Sequence, residues 1–178
     1  DDVLRVLEAA QDNSRLKDQD QSGGVYYLLA EAYRQKGEAD KATTYYDKVI
    51  GLASPSIYLL QSKIGKGMVL IFQKKFEEAR KLLAEVIESG SEDNVLAMKA
   101  RFALGELEEQ EGNPNEAVKY FMLVAVLYKN DTYGSQALFK AAGLLESQGK
   151  PVEARRAYEE IVQTYAESPL FEQAKKRI

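Results

Sequence analysis

The sequence contains no cysteine, no histidine and no tryptophan. Without cysteine there are no disulfides and no thiolate chemistry, and without histidine the commonest general base and transition-metal ligand are missing. The serines lie where helix capping and loops explain them. We therefore expect no catalysis, no metal and no cofactor, although a carboxylate-only enzyme stays open.

Long apolar runs and a basic surplus are also missing. No stretch approaches the roughly 18 apolar residues of a membrane span, so we expect no direct membrane insertion. The chain has 24 basic and 28 acidic residues, for a net charge of −4. Nucleic-acid binders usually carry a basic surplus, so we expect no nucleic acid as a partner. The abrupt start at Asp1 and the end inside a basic helix predict a fragment of a longer protein.

What the sequence does contain is a repeat. Ala42, Ala79, Ala117 and Ala154 are separated by 37, 38 and 37 residues. Each alanine lies in the second of two amphipathic helical patterns, and a fixed period of this size is typical of a repeat array. We predict an all-α fold, an α–α superhelix of about four helix-turn-helix repeats with extra N- and C-terminal helices.

The predicted organisation is a single solenoid domain over residues 1–178. Its parts are an N-terminal helix and loop at 1–21, repeats at 22–54, 55–90, 91–130 and 131–166, and a C-terminal helix at 167–178. More locally, we expect a helix over Val3–Leu16, a loop over Lys17–Gly24, a helix start at Ser54-Pro55 and a last helix over Leu170–Ile178.

The turns inside the repeats carry a glycine, with one exception. A glycine allows the positive φ that ends a helix without a Cβ clash. Lys74 stands at the glycine position of repeat 2, so this turn is predicted to be strained or closed differently. The other three repeats have Gly37, Gly112 and Gly149.

Two further positions recur around each anchor alanine. A small residue lies 12 positions before it (Ala30, Gly67, Gly105, Ala142), and an aromatic residue or leucine lies four after it (Tyr46, Leu83, Phe121, Tyr158). Two helices pack closely only where a small side chain admits a large one from its neighbour. The set resembles the tetratricopeptide repeat, a non-catalytic scaffold for protein partners. It departs from that pattern in three ways: no tryptophan opens a repeat, Lys66 replaces a usual leucine, and Glu108 replaces a usual tyrosine.

The period is longer than the usual figure of about 34 residues. The extra residues lie between repeats, as in the longer repeats of bacterial cell-envelope tetratricopeptide proteins, which this chain resembles. That resemblance implies a periplasmic or cell-envelope location. A cytoplasmic location is the alternative, since long-period repeats also occur there.

The resemblance places function on a concave groove formed by the first helices. Such a groove would take an apolar or basic-apolar extended segment, or a helix. The matching positions lack the Lys, Asn and Arg clamp that grips a chaperone's C-terminal carboxylate. The expected groove residues are Tyr27, Glu31, Arg34, Ile64, Met68, Ile71, Phe102, Glu106, Glu109 and Phe139.

Two alternatives accompany this groove. Its aromatic side chains can instead fill the seams between repeats as ordinary core. The chain can also be a structural module that forms homo-oligomers through its terminal repeats or convex face. We prefer the role of an adaptor, a protein that holds a partner segment in this groove. The reason is that the first helix of repeat 2 has more apolar residues, including Met68, Ile71 and Phe72, than one buried stripe needs.

Two local expectations concern repeat 3. The carboxylates of Glu106, Glu108, Glu109 and Glu111 offer a surface for a basic partner or a divalent ion, but the preferred interpretation is a solvated helix face. In the second helix, Ala117, Phe121, Val124 and Leu127 are predicted to face inward.

Overall fold

The computed structural model describes residues 2–11, 19–52, 57–89, 94–128 and 130–178. Within these ranges every regular element is an α-helix, which confirms the all-α class. The helices are α1 Asp2–Gln11, α2 Gln19–Gln35, α3 Ala39–Ile50, α4 Leu59–Phe72, α5 Phe76–Glu88, α6 Asn94–Glu111, α7 Pro114–Leu127, α8 Asp131–Ser147, α9 Pro151–Thr164 and α10 Phe171–Lys175.

The chain divides into two compact units, and the division falls between residues 90 and 91. Unit 1 contains α1 to α5 and unit 2 contains α6 to α10. The division coincides with the expected boundary between repeats 2 and 3. Each unit has a core of its own, and that all repeats form one domain stays a prediction.

The helix pairs pack through the small-to-large contacts that the sequence predicts. A Cβ added at Gly105 would lie 2.6 Å from the ring of Phe121, and one added at Gly67 would lie 3.1 Å from Leu83. Phe121 and Leu83 are fully buried, as are all four anchor alanines. Close approach of the paired helices therefore depends on the absent side chain.

Local sequence sets where several helices begin. Pro114 and Pro151 occupy the first turns of α7 and α9, where the missing N–H has no helical acceptor to lose. Asn130 precedes α8, and its side chain accepts a hydrogen bond of 2.9 Å from the backbone N–H of Tyr133. That bond satisfies one of the donors that a helix start leaves free.

The turn of repeat 2 is strained, as predicted from Lys74. The φ of Lys74 is +59°, in the left-handed region, and Gly37, Gly112 and Gly149 have φ values of +77°, +89° and +71° in the same region. A lysine in this region brings its Cβ close to the following carbonyl oxygen. The four turns thus share one backbone shape, and only repeat 2 forms it with a side chain.

The predicted loop over Lys17–Gly24 is wrong from Gln19 onward, because α2 already begins there. Gly23 is buried, and a Cβ at Gly24 would lie 3.2 Å from the ring of Tyr58, so Gly24 lets α2 approach this ring closely. Residues 12–18, where the N-terminal helix was expected to end, and Ser54-Pro55 lie outside the described residues.

The last helix is shorter than the expected Leu170–Ile178, since α10 covers only Phe171–Lys175. Ahead of it, the buried Ser168 hydroxyl donates to the Ser135 hydroxyl at 2.8 Å and accepts from the backbone N–H of Leu170. Ala174 is fully buried in the core formed with α9. The C-terminal segment therefore covers the end of unit 2.

Candidate functional site

In unit 1 the first helices α2 and α4 bring two of the expected groove residues together. Arg34 and Met68 line a cavity of about 220 Å³, with Val69 and Phe72 beside them. Phe72 is 76% exposed and Met68 is 37% exposed, while Val69 is buried beneath them. We call this depression the unit 1 cavity. It is an accessible apolar surface next to a guanidinium group.

A hydrogen-bond network holds Arg34 in place. Its Nη2 lies 2.7 Å from Oε2 of Glu31, and the buried hydroxyl of Tyr46 donates to the same carboxylate. Burial, followed by the bond to Glu31, raises the pKa of Tyr46. The bond to Glu31 likewise raises the pKa of Arg34, so its positive charge is secure. Glu31 thus orients the guanidinium that borders the unit 1 cavity.

The other expected groove residues of unit 1 are covered by neighbouring side chains. Tyr27 is half-buried and stacks on Tyr58, with ring centroids 5.1 Å apart and planes 19° apart. Burial is the main cause that raises the pKa of the Tyr27 hydroxyl. Ile64 and Ile71 are buried. Their position fits the seam-filling alternative, and their contact with a ligand stays a prediction.

In unit 2 the two expected aromatic residues also contact other rings. Phe102 is 8% exposed and meets Phe121 and Tyr133 edge to face, at centroid distances of 5.4 and 5.3 Å. Phe139 meets Tyr158 edge to face at 5.4 Å. These contacts join neighbouring helices, so both residues take part in the packing of unit 2.

The expected acidic groove residues of unit 2 are bridged by a lysine that sequence reasoning missed. Lys140 Nζ lies 3.0 Å from Glu109 Oε2 and 3.5 Å from Glu106 Oε1. Burial raises the pKa of Glu106, although Lys140 acts in the opposite direction. The contact joins α6 to α8 across more than 30 positions. Only the opposite charges in neighbouring first helices could have indicated it.

Glu108 corrects the interpretation of the acidic run as a solvated face. It is 5% exposed, and its carboxylate accepts a hydrogen bond of 3.0 Å from Asn113 Nδ2. The carboxylate thus ties the end of α6 to the turn that follows. A buried carboxylate needs such partners, which explains a glutamate at a position where the repeat usually has a tyrosine.

A second, larger cavity was not predicted. It measures about 920 Å³ and lies in unit 2, with walls on the second helices α7 and α9 and a floor on α8. We call it the α7–α9 groove. Val126 on its α7 wall is 72% exposed, and Leu127, which was predicted to face inward, is 56% exposed. One feature of the sequence could have indicated this groove: the apolar residues at the end of α7 cover more of the helix surface than one buried stripe requires.

The described residues form neither a cluster suited to a metal ion nor a helix suited to a membrane span. Nowhere in the described ranges do three or more carboxylate, histidine or cysteine side chains group as they would around a metal ion. Of the helices whose placement is given, none has the length and apolar character required to cross a membrane.

Comparison with known proteins identifies the repeat. Models of the tetratricopeptide repeat match residues 23–55, 64–135 and 136–168. Together these ranges cover most of the chain, and they confirm the resemblance that the sequence predicts. No curated protein matches the chain.

Solved structures similar to this chain include the crystal structure of BtubC (BKLC) from P. vanneervenii. It is 19% identical, with a TM-score of 0.75 over 99% of this chain and 70% of that one. MamA MSR-1 C2 is 21% identical, with a TM-score of 0.61 over 98% and 84% of the two chains. A crystal structure of MamA protein is 20% identical, with a TM-score of 0.59 over 87% of each chain. At these identities the likeness shows the fold alone, an α–α superhelix.

Proposed function

Since the chain belongs to the tetratricopeptide repeat family, and is thereby a protein-interaction scaffold, we propose that it binds a segment of a partner protein against its first helices. The unit 1 cavity is the centre of this site. The partner supplies an apolar anchor side chain, which enters the space between Arg34 and Met68.

The observation that carries this proposal is the exposure of Phe72 beside the cavity. The side chain of Phe72 is 76% exposed, so its burial against a partner would make the free energy of binding more favourable. Buried aromatic anchors commonly dominate the binding energy of protein interfaces. The unit 1 cavity thus has the composition of the centre of an interface.

Arg34 gives the site its polar component. A guanidinium has five N–H donors, and Glu31 occupies one side of it. The donors that Glu31 and Tyr46 do not engage would bind a backbone carbonyl or a carboxylate of the bound segment. Because Glu31 already orients the group, little side-chain entropy is lost when the partner binds.

The proposed role is not catalytic. Tetratricopeptide repeat proteins are generally scaffolds, and this chain has neither histidine nor cysteine to activate a nucleophile. Binding of a partner segment requires only the surface of the unit 1 cavity.

The test compares two aspartate variants of matched exposure. Phe72→Asp changes the cavity, and Ile57→Asp changes a residue of unit 1 that is 75% exposed and does not line it. Tagged chains capture proteins from source-cell extract, which quantitative mass spectrometry measures. We expect a partner that wild type and Ile57→Asp retain and that Phe72→Asp reduces about tenfold or more.

Equal capture by Phe72→Asp and wild type would contradict the site. Circular dichroism checks that both variants keep their helices. Phe102→Asp is unsuitable here, because Phe102 is buried between Phe121 and Tyr133 and its loss would disturb folding.

We also propose a cell-envelope location in a bacterium, on the basis of the 37- to 38-residue period. Fractionation of source cells with an antibody against the chain tests it. Recovery in the periplasmic or membrane-associated fraction is expected, and recovery with cytoplasmic markers would favour the alternative.

A further inference from the structure

We propose that the α7–α9 groove of unit 2 binds an amphipathic helix of a partner protein, whose apolar face is flanked by lysine or arginine. This surface lies on second helices and is separate from the unit 1 cavity. It does not depend on the function proposed above.

The shape of the α7–α9 groove suits a helix. Its α9 wall extends from Glu153 to Thr164, which is about 16 Å at a rise of 1.5 Å per residue. Leu138 and Leu145 of α8 form the floor two helical turns apart. A furrow of this length accommodates about three turns of a helix that places apolar side chains at i, i+3, i+4 and i+7.

The chemistry of the lining favours a helix over an extended segment. The walls and floor are formed largely by apolar side chains such as Met122, Ala125 and Ala157. An extended segment would bury backbone N–H and C=O groups against them without partners, at a substantial cost in free energy. A helix satisfies its own backbone groups and presents only side chains.

The rim of the α7–α9 groove determines the charge of the occupant. Asp131, Glu153 and Glu160 border it together with a single cation, Arg156. None of these four side chains forms an ion pair with any residue that the structure describes. The described rim residues therefore carry a net charge of about −2, and a helix flanked by basic residues complements it.

The experiment uses a peptide library and the full chain. The library displays 15-residue helices with a fixed Leu/Ala face, in which the flanking positions vary among Lys, Glu and Gln. Selection is made on wild type, with counter-selection on Val126→Asp. Selected peptides are then labelled, and fluorescence anisotropy measures their affinity.

We expect lysine-flanked peptides to be enriched. Val126→Asp should weaken their binding about tenfold or more, because it places a carboxylate in the apolar wall. Leu127→Asp is the matched control: it adds the same charge at the next position of α7, where the side chain is exposed but does not line the groove. Its affinity should stay within about twofold of wild type.

A second variant tests the charge. Glu153→Lys combined with Glu160→Lys should weaken the lysine-flanked peptides about tenfold and favour glutamate-flanked ones. Binding to wild type should also fall as salt rises, since exposed charge pairs are screened. Phe72→Asp should leave the peptide affinity of the α7–α9 groove unchanged. The groove can therefore be tested even if the unit 1 cavity proves not to bind a partner.

Four outcomes would overturn the proposal. These are no enrichment relative to Val126→Asp, enrichment of glutamate-flanked peptides, equal loss in Leu127→Asp, and a dimer in sedimentation equilibrium that Val126→Asp abolishes. The last would show that the occupant of the groove is a second copy of the chain.

Discussion

Unit 1 and unit 2 bury the same repeat positions, but the apolar side chains exposed beside the unit 1 cavity and beside the α7–α9 groove lie on different kinds of helix. Beside its cavity, unit 1 exposes Met68 and Phe72 on a first helix, whereas unit 2 exposes Val126 and Leu127 on a second helix. The large residue four positions after each anchor alanine is fully buried or nearly so in both units. The repeat thus constrains the residues that join its helices and leaves the outer faces free to differ.

Repeat 2 of unit 1 and repeat 3 of unit 2 fill the space beside their small residues differently. Phe121 in repeat 3 is a rigid ring, while Leu83 in repeat 2 is a branched chain with more rotamers. The same small-to-large contact should therefore tolerate an added methyl group differently in these two repeats.

The largest effect is expected for Gly105→Ala. Its Cβ would lie 2.6 Å from Phe121, which is fully buried, so unfolding free energy should fall by about 2 kcal/mol despite the better helix propensity of alanine. Gly67→Ala, 3.1 Å from Leu83, should cost less than half of that. Urea unfolding followed by circular dichroism measures both.

Gly143→Ala is the control for helix propensity. No atom lies within 4 Å of a Cβ at this exposed position in α8, so the variant should gain about 0.5–1 kcal/mol. A loss in Gly143→Ala, or a gain in Gly105→Ala, would refute the steric account.

The second prediction compares the two tyrosines that follow their anchor alanines by four positions. The Tyr46 hydroxyl donates to Glu31 inside unit 1, and the Tyr158 hydroxyl in unit 2 donates to Glu146 at 3.3 Å, which is long for an O–H donor. Tyr46→Phe should cost about 1.5 kcal/mol, the low end for bonds to charged groups, and Tyr158→Phe about 0.5 kcal/mol.

Both substitutions keep the ring, so packing is unchanged and thermal or urea unfolding reports the hydroxyl alone. Equal losses in the two variants would mean that the bond to Glu31 stabilises unit 1 no more than the bond to Glu146 stabilises unit 2.

The smallest effect is expected at the turns. Lys74→Gly should raise the unfolding free energy by about 0.5–1 kcal/mol, because glycine adopts the observed φ of +59° without strain. Gly149→Lys should lower it by a similar amount, since open space surrounds that Cβ and only the backbone conformation is unfavourable. Calorimetry of the two variants tests this symmetry, and shifts of the same sign would contradict it.

Much of the fold could be predicted from the chain alone, because close helix packing leaves a periodic record. Gly67 and Gly105 indicated where helices approach, and Lys74 indicated the strained turn. Leu127 shows the limit of this reasoning. It continues the inward stripe of α7 by spacing, yet among the described residues no neighbouring element covers it, and it is 56% exposed.

Less of the candidate site could be predicted. Arg34 and Met68 were expected on one surface and do line one cavity, whereas Ile71 and Phe102 were expected on that surface and are buried. Helical spacing gives the direction of a side chain relative to its own helix. It does not say whether another helix will cover that direction.

The sequence by itself determined the repeat, the helix pairs and the turn conformations, because these depend on contacts and backbone preferences within about 40 residues. Tertiary structure alone decided which apolar side chains remain accessible. The Lys140 bridge between Glu106 and Glu109 and the α7–α9 groove both arise where separate helices meet. Their geometry depends on how side chains of several helices fill shared space, and no spacing within one helix records that.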